Sequence, residues 1–260
     1  MPPRCDAVLA FEDSSGVIQE AARAFLAQRP EAQIEFAAAP PGQCHLVFRG
    51  KNAHGSQPWE GRNAARDAAR FLAGLGLCGP RADFVRAIAT LAEDDFGGPL
   101  GIAATHEFIG PATQNLGILT VGQGAARAVF NTRPTQGQKP GELLEIIRRS
   151  AAEAAPRGLE IAVEMEARPC ESLFVDPARH SGFIGALQSA YHAVTGREPK
   201  LSACTGTTFA KAFPRAVCFG PSDPADEPLL AHQADERVLV SSALRNVRIY
   251  GAALALLAAE

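Results

Sequence analysis

Residues 43–76, QCHLVFRGKNAHGSQPWEGRNAARDAARFLAGLG, pass from a strand through a loop into a helix. CHLVFRG reads as a strand, and EGRNAARDAARFLAGLG carries apolar residues at helical spacing and stops at glycines. The loop between them sets His54 on a glycine-flanked segment just before the helix, where a side chain projects from a rigid scaffold.

Working outward, CDAVLAFE alternates as a half-buried strand does. SGVIQEAARAFLAQ is an amphipathic helix behind the cap Ser14 or Ser15, and IEFAAA is a second strand. Residues 81–95 predict a helix, and Phe96 to Gln114 an irregular insertion with several glycines and prolines. NLGILTVG and AARAVFNTR form a hairpin about Gln123 and Gly124. The helix PGELLEIIRRSAAEAA, opened by Pro140, and the strand LEIAVEMEA follow. From Gln43 to Ala167 the order is β-α-(insert)-β-β-α-β, the split βαβ plan, which predicts a four-stranded antiparallel sheet with helices on one face.

After Arg168 come a loop, the helix ARHSGFIGALQSAYHAVTG, the short TGTTFAKAF, a strand AVCFG, a Pro/Asp-rich loop and a final helix from Ser241 to Ala259. A domain boundary is expected near 168–176. One strand is too little sheet for a stable α/β domain, so the tail calls for strands supplied from elsewhere. The start, PPRCDAVLAF directly after Met1, likewise reads as a beginning in mid-fold.

The 260 residues are 47% hydrophobic and 20% charged, enough for one large core or two ordinary ones. A net charge of -3 with no basic run leaves no footprint for nucleic acid or an anionic membrane, so a small molecule or another subunit is the expected partner. Six cysteines lie far apart without a CxxC pair and read as free thiols. With no signal-peptide pattern and no run of about 18 apolar residues, a cytoplasmic location is expected.

Among the histidines, His45, His180 and His192 read as ordinary packing or solvent-facing residues, and His106 as exposed in the insertion. His54 and His232 stand in loops suited to chemistry, His232 beside Asp226, Glu227 and Asp235; surface-loop readings remain open for both. From the residues alone, Arg133 is a strand-end charge and TGTTFAKAF a helix cap followed by core.

GKNAHGSQPWEGRNAA resembles the lid motif of metallopeptidase family twenty, the family of aminoacylase, succinyl-diaminopimelate desuccinylase, carnosinase and the bacterial dipeptidases. NLGILTVG, the strand ending in Arg133, ESLFVDP, TGTTFAKAF, AVCFGP and AHQADE follow in the family's order. The additions before residue 43 and at 81–114 are most similar to the dipeptidase branch. The resemblance implies an α+β chain: a ferredoxin-like lid or dimerisation-type domain over 5–168, then the C-terminal part of an α/β zinc-peptidase catalytic domain over 169–260. It implies that His54 stabilises the oxyanion formed at the scissile carbonyl, that Arg133 grips the substrate's terminal carboxylate, that Gly206 and Thr207 contact that carboxylate, and that His232 is a zinc ligand. Thr207 and Phe209 depart from the family's usual glycine and tyrosine.

The family's other ligands come from an HxD motif, a bridging Asp, a Glu-Glu pair and a further Asp, all preceding the lid. This sequence has neither HxD nor adjacent glutamates; Glu12-Asp13 and Glu93-Asp94-Asp95 read as solvated charge. The expected protein is therefore a truncated or split dipeptidase-like metallohydrolase acting on dipeptides or N-acyl amino acids. Zinc or another divalent ion would belong to the complete enzyme, and self-association or a missing N-terminal segment would complete this chain. The alternatives are a non-catalytic dimerising or peptide-binding lid protein and one half of a two-chain enzyme.

Overall fold

A computed structural model describes residues 1–260 except 11–14, 56, 123, 167–172, 204–207, 214, 221–225, 227–234 and 260. The chain divides into two compact units, Met1–Ser172 and Leu173–Glu260. The first mixes helices with strands, the second is helical in its regular elements, and every strand pairing among the described residues is antiparallel.

In the first unit, β1 (Arg4–Ala10), β2 (Gln33–Ala37) and β3 (Gln43–Arg49) form a sheet of order β1-β3-β2. Their alternation sends Cys5, Ala7, Leu9, Cys44, Leu46 and Phe48 to one face. There they meet Ile18 and Ala22 of α1 (Ser15–Gln28) and Ala64, Ala68 and Phe71 of α2 (Ala64–Ala73). The Phe71 ring lies 5.6 Å from Phe25 and 5.7 Å from Phe48. On the other face, Asp6 bridges Arg4 at 2.7 Å and His45 at 2.8 Å, and Glu35 meets Arg49 at 2.8 Å.

Helix α3 (Pro80–Leu91) follows α2, and the insertion carries a minor ribbon, β4 (Thr105–His106) with β5 (Gly110–Pro111). Then β6 (Thr113–Val121) and β7 (Ala126–Arg133) make the expected hairpin, with an irregular register between Leu116 and Ile118. Leu116 packs with Ile88, Leu91, Leu100, Ile102 and, from α4 (Pro140–Ala154), Leu143 and Ala151.

The predicted four-stranded sheet is not closed. A strand has two edges, and β1 and β2 occupy both edges of β3, so the β6–β7 hairpin cannot join through it. Residues 159–166 form no strand, although Leu159, Ile161 and Val163 pack on the hairpin's core. The acidic run is only partly solvated charge, Glu93 being exposed and Asp94 and Asp95 half-buried. Glu93 pairs with Arg70 at 3.0 Å, and Asp95 with Arg66 at 2.6 Å in a mostly buried pair. The Asp94 carboxylate accepts from the backbone of Phe96 at 2.8 Å and Gly97 at 2.6 Å. His106 is half-buried, its Nδ1 accepting from the backbone of Phe108 and Ile109.

In the second unit, α5 (Ser181–Thr195) ends at Gly196, whose φ of 68° is the left-handed cap that glycine adopts without strain. Leu187 and Ala190 of α5 pack with Ala253 of α6 (Val240–Ala258), and Val217 and Phe219 lie against them. AVCFG is not a strand, having no strand to pair with among the described residues. Thr208 caps a 3₁₀ turn (Phe209–Ala212), accepting from Ala210 N at 3.2 Å, but Phe209 is 94% exposed rather than core. Helix α6 also exposes Val240, Leu244, Val247 and Leu254. Among the described residues no helix is long and apolar enough to cross a membrane, and Cys5, Cys44, Cys78 and Cys218 are free thiols.

Candidate functional site

The loop that carries His54 is cinched at its base by two glycines. Lys51 and Arg62 exchange backbone hydrogen bonds at 2.9 Å, and Gly50 N donates to Pro3 O at 2.8 Å. A Cβ on Gly50 would sit 2.3 Å from Arg62 O, and one on Gly61 would sit 2.6 Å from the Ala53 Cβ. Beyond the closure α2 starts at once, Asn63 accepting from Arg66 N at 3.1 Å. Asn63 also donates to Leu116 O at 2.8 Å, which ties the helix start to the hairpin. Within the loop, Gln57 N donates to His54 O at 2.9 Å, and His54 itself is exposed.

This loop rests on one end of the β6–β7 hairpin. The Thr113 hydroxyl donates to Gly55 O at 3.2 Å, and a Cβ on Gly55 would lie 2.9 Å from Asn131 Oδ1 and 3.3 Å from Asn115 Nδ2. Thr113 stands opposite Arg133, and Asn115 opposite Asn131. The structure thus brings the His54 loop and Arg133 to one end of one hairpin. Arg133 is half-buried, and its Nε is buried with no hydrogen-bond partner among the described residues. Leaving a charged donor unmade costs more than the roughly 1–3 kcal/mol of a neutral one. Gly206, Thr207 and His232 lie outside the described residues.

Sequence reading overlooked the polar floor of this end. Thr113, Gln114 and Asn115 are all buried, in a strand whose apolar residues invite a reading as plain core. Their signal was the run TQN at the mouth of an otherwise apolar strand. Gln114 N donates to Asp95 O at 2.9 Å, so the acidic run is fastened to the same end.

The described residues do not fit a metal pair. No group of three or more His, Cys, Asp or Glu among them could hold an ion. Asp94, Asp95 and Glu93 are engaged as above. Asp226 is gripped by Arg197 at 2.6 and 2.8 Å and by Arg245, and the hydrogen bonds from Arg197 foremost pull its carboxyl down to about 2. Two hollows of about 470 and 260 Å³ open elsewhere on the first unit, and neither is lined by His54 or Arg133.

Residues 42–159, from just before β3 to just past α4, match the family profile of the peptidase dimerisation domain. A protein of Staphylococcus epidermidis named "Putative dipeptidase" is 29% identical over 83% of this chain and 44% of its own length. The Beta-Ala-Xaa dipeptidase of Lactobacillus delbrueckii subsp. lactis is 25% identical over 80% of this chain and 43% of its own. The chain thus spans a little under half the length of these relatives. The profile match covers the strand, cinched loop, helix and hairpin that assemble the His54 and Arg133 end, and the dipeptidase likeness runs on past it, so both similarities support metallopeptidase family twenty.

Proposed function

We propose that this chain is the lid and C-terminal portion of a dipeptidase-like, metal-dependent amide hydrolase, acting on dipeptides or N-acyl amino acids. In this reading residues 5–168 are a lid of the dimerisation type with an enlarged N-terminal part and an insert at 81–114, and 169–260 belong to the catalytic domain. Arg133 holds the substrate's terminal carboxylate through two parallel hydrogen bonds, for which a planar guanidinium is suited. His54, on its cinched loop, donates to the carbonyl oxygen as negative charge develops there. Gly206 and Thr207 supply further contacts to the carboxylate, and His232 a ligand to zinc or a similar ion, by family likeness alone. An ion held in the complete enzyme would supply an activated water.

The observation that carries the reading is the buried Nε of Arg133, without a partner among the described residues, at the hairpin end that also seats the His54 loop. Calorimetric titration with N-acetyl-alanine and with its primary amide tests it. The acid binds and the amide does not, and Arg133→Lys weakens the acid about tenfold although the charge is kept. Equal binding of acid and amide would contradict the assignment.

A further inference from the structure

Trp59, the single tryptophan of the chain, and Phe96 stack with ring centroids 6.1 Å apart and planes 18° from parallel. They are 51% and 42% exposed, so two large apolar rings cover each other on one side and face solvent on the other. Single exposed apolar residues are ordinary, but an exposed stacked pair on fixed backbone is a contact surface. The backbone under both rings is fixed. Trp59 follows the buried Pro58 in a 3₁₀ turn (Pro58–Glu60) in which Glu60 N donates to Gln57 O at 3.1 Å. Phe96 N is held by the Asp94 carboxylate at 2.8 Å, and the preceding carbonyl, Asp95 O, accepts from Gln114 N.

These anchors place the pair beside the candidate site. Gln57, two residues before Trp59, donates to His54 O, and Gln114, which fastens the Phe96 segment, adjoins Thr113, the residue opposite Arg133. An aromatic wall and a guanidinium whose Nε has no partner among the described residues, at one end of a hairpin, suit a ligand with an apolar side chain next to a carboxylate. We infer that Trp59 and Phe96 are specificity-determining residues that select substrates whose residue bearing the free carboxylate has a large apolar side chain. This rests on the assignment of Arg133 as the carboxylate clamp.

Trp59 is its own reporter. The purified chain is titrated with N-acetyl-leucine and N-acetyl-glycine, following tryptophan emission and, in parallel, heat. Both ligands carry the carboxylate, so both bind; the leucine compound binds about tenfold more tightly, in the range that apolar pockets give for a few methylenes, and alone shifts the emission. Phe96→Ala abolishes the preference while N-acetyl-glycine binds as before, and Trp59→Ala does the same by calorimetry. If both compounds bind equally without a change in emission, the inference fails and the Arg133 clamp stands. If neither binds, both fail. Emission that follows protein concentration instead of ligand would mean that a second copy covers the pair, and would also overturn the inference.

Discussion

Replacing Gly50 by alanine should loosen the whole His54 loop. The added Cβ would meet Arg62 O at 2.3 Å, Pro2 O at 2.8 Å and Ala64 N at 3.0 Å, all backbone atoms that no rotamer change can move. Relief requires displacing the chain by about 1 Å, which strains the Gly50–Pro3 hydrogen bond and the Lys51–Arg62 pair. Overpacking of this kind costs about 1–3 kcal/mol, and each weakened hydrogen bond adds up to about 1 kcal/mol. A loss of about 2–4 kcal/mol follows, and for a unit of this size it lowers Tm by roughly 5–15 °C. Differential scanning calorimetry of the first unit's transition measures it. Gly185→Ala, in mid-α5 with nothing within 4 Å of its Cβ, is the contrasting case and should stabilise by about 0.5–1 kcal/mol. A Gly50→Ala protein that melts within about 2 °C of the parent would refute the cinched-loop account.

Asp67 is buried on α2 with Oδ2 unpartnered, and burial raises its pKa despite Arg66, Arg70 and Arg62. A folded pKa above the unfolded one favours the native state at acid pH, and that contribution is lost as pH rises through the folded value. Asp67→Asn should therefore be more stable than the parent at pH 7, with the gain vanishing below the ordinary aspartate value of about 3.9 in denaturant titrations; a gain equal at both pH values would point elsewhere. The apolar stripe of α6, with Val240 76% and Val247 68% exposed, predicts self-association at micromolar concentration, visible by sedimentation and reduced by Val247→Lys. A parent that sediments as a clean monomer would leave the stripe without that role.

Local pattern made most elements legible. The alternation of CDAVLAFE and the helical spacing of SGVIQEAARAFLAQ and EGRNAARDAARFLAGLG appear in the structure as β1, α1 and α2, because burial on one face dictates those periods. Pairing was not legible, since nothing local in QCHLVFR says that β1 and β2 occupy both of its edges. Residues 159–166 and AVCFG have strand composition yet form no strand, because a strand depends on a neighbour that sequence periodicity does not supply. In the candidate site, the glycine-flanked loop around His54 was legible as a loop between a strand and a helix. The polar floor of Thr113, Gln114 and Asn115 and the docking of Glu93 and Asp95 on α2 arginines depend on contacts between distant segments, and charge runs alone suggest solvent.

The central claim, that Arg133 awaits a carboxylate, is tested most directly by its own Nε–H resonance in a 15N-labelled chain, assigned by its loss in Arg133→Lys. Addition of N-acetyl-leucine should shift that resonance and slow its exchange with water, as a buried donor without a partner acquires one, while the primary amide of the same compound leaves it unmoved. A resonance that ignores the acid, or responds equally to acid and amide, would contradict the account.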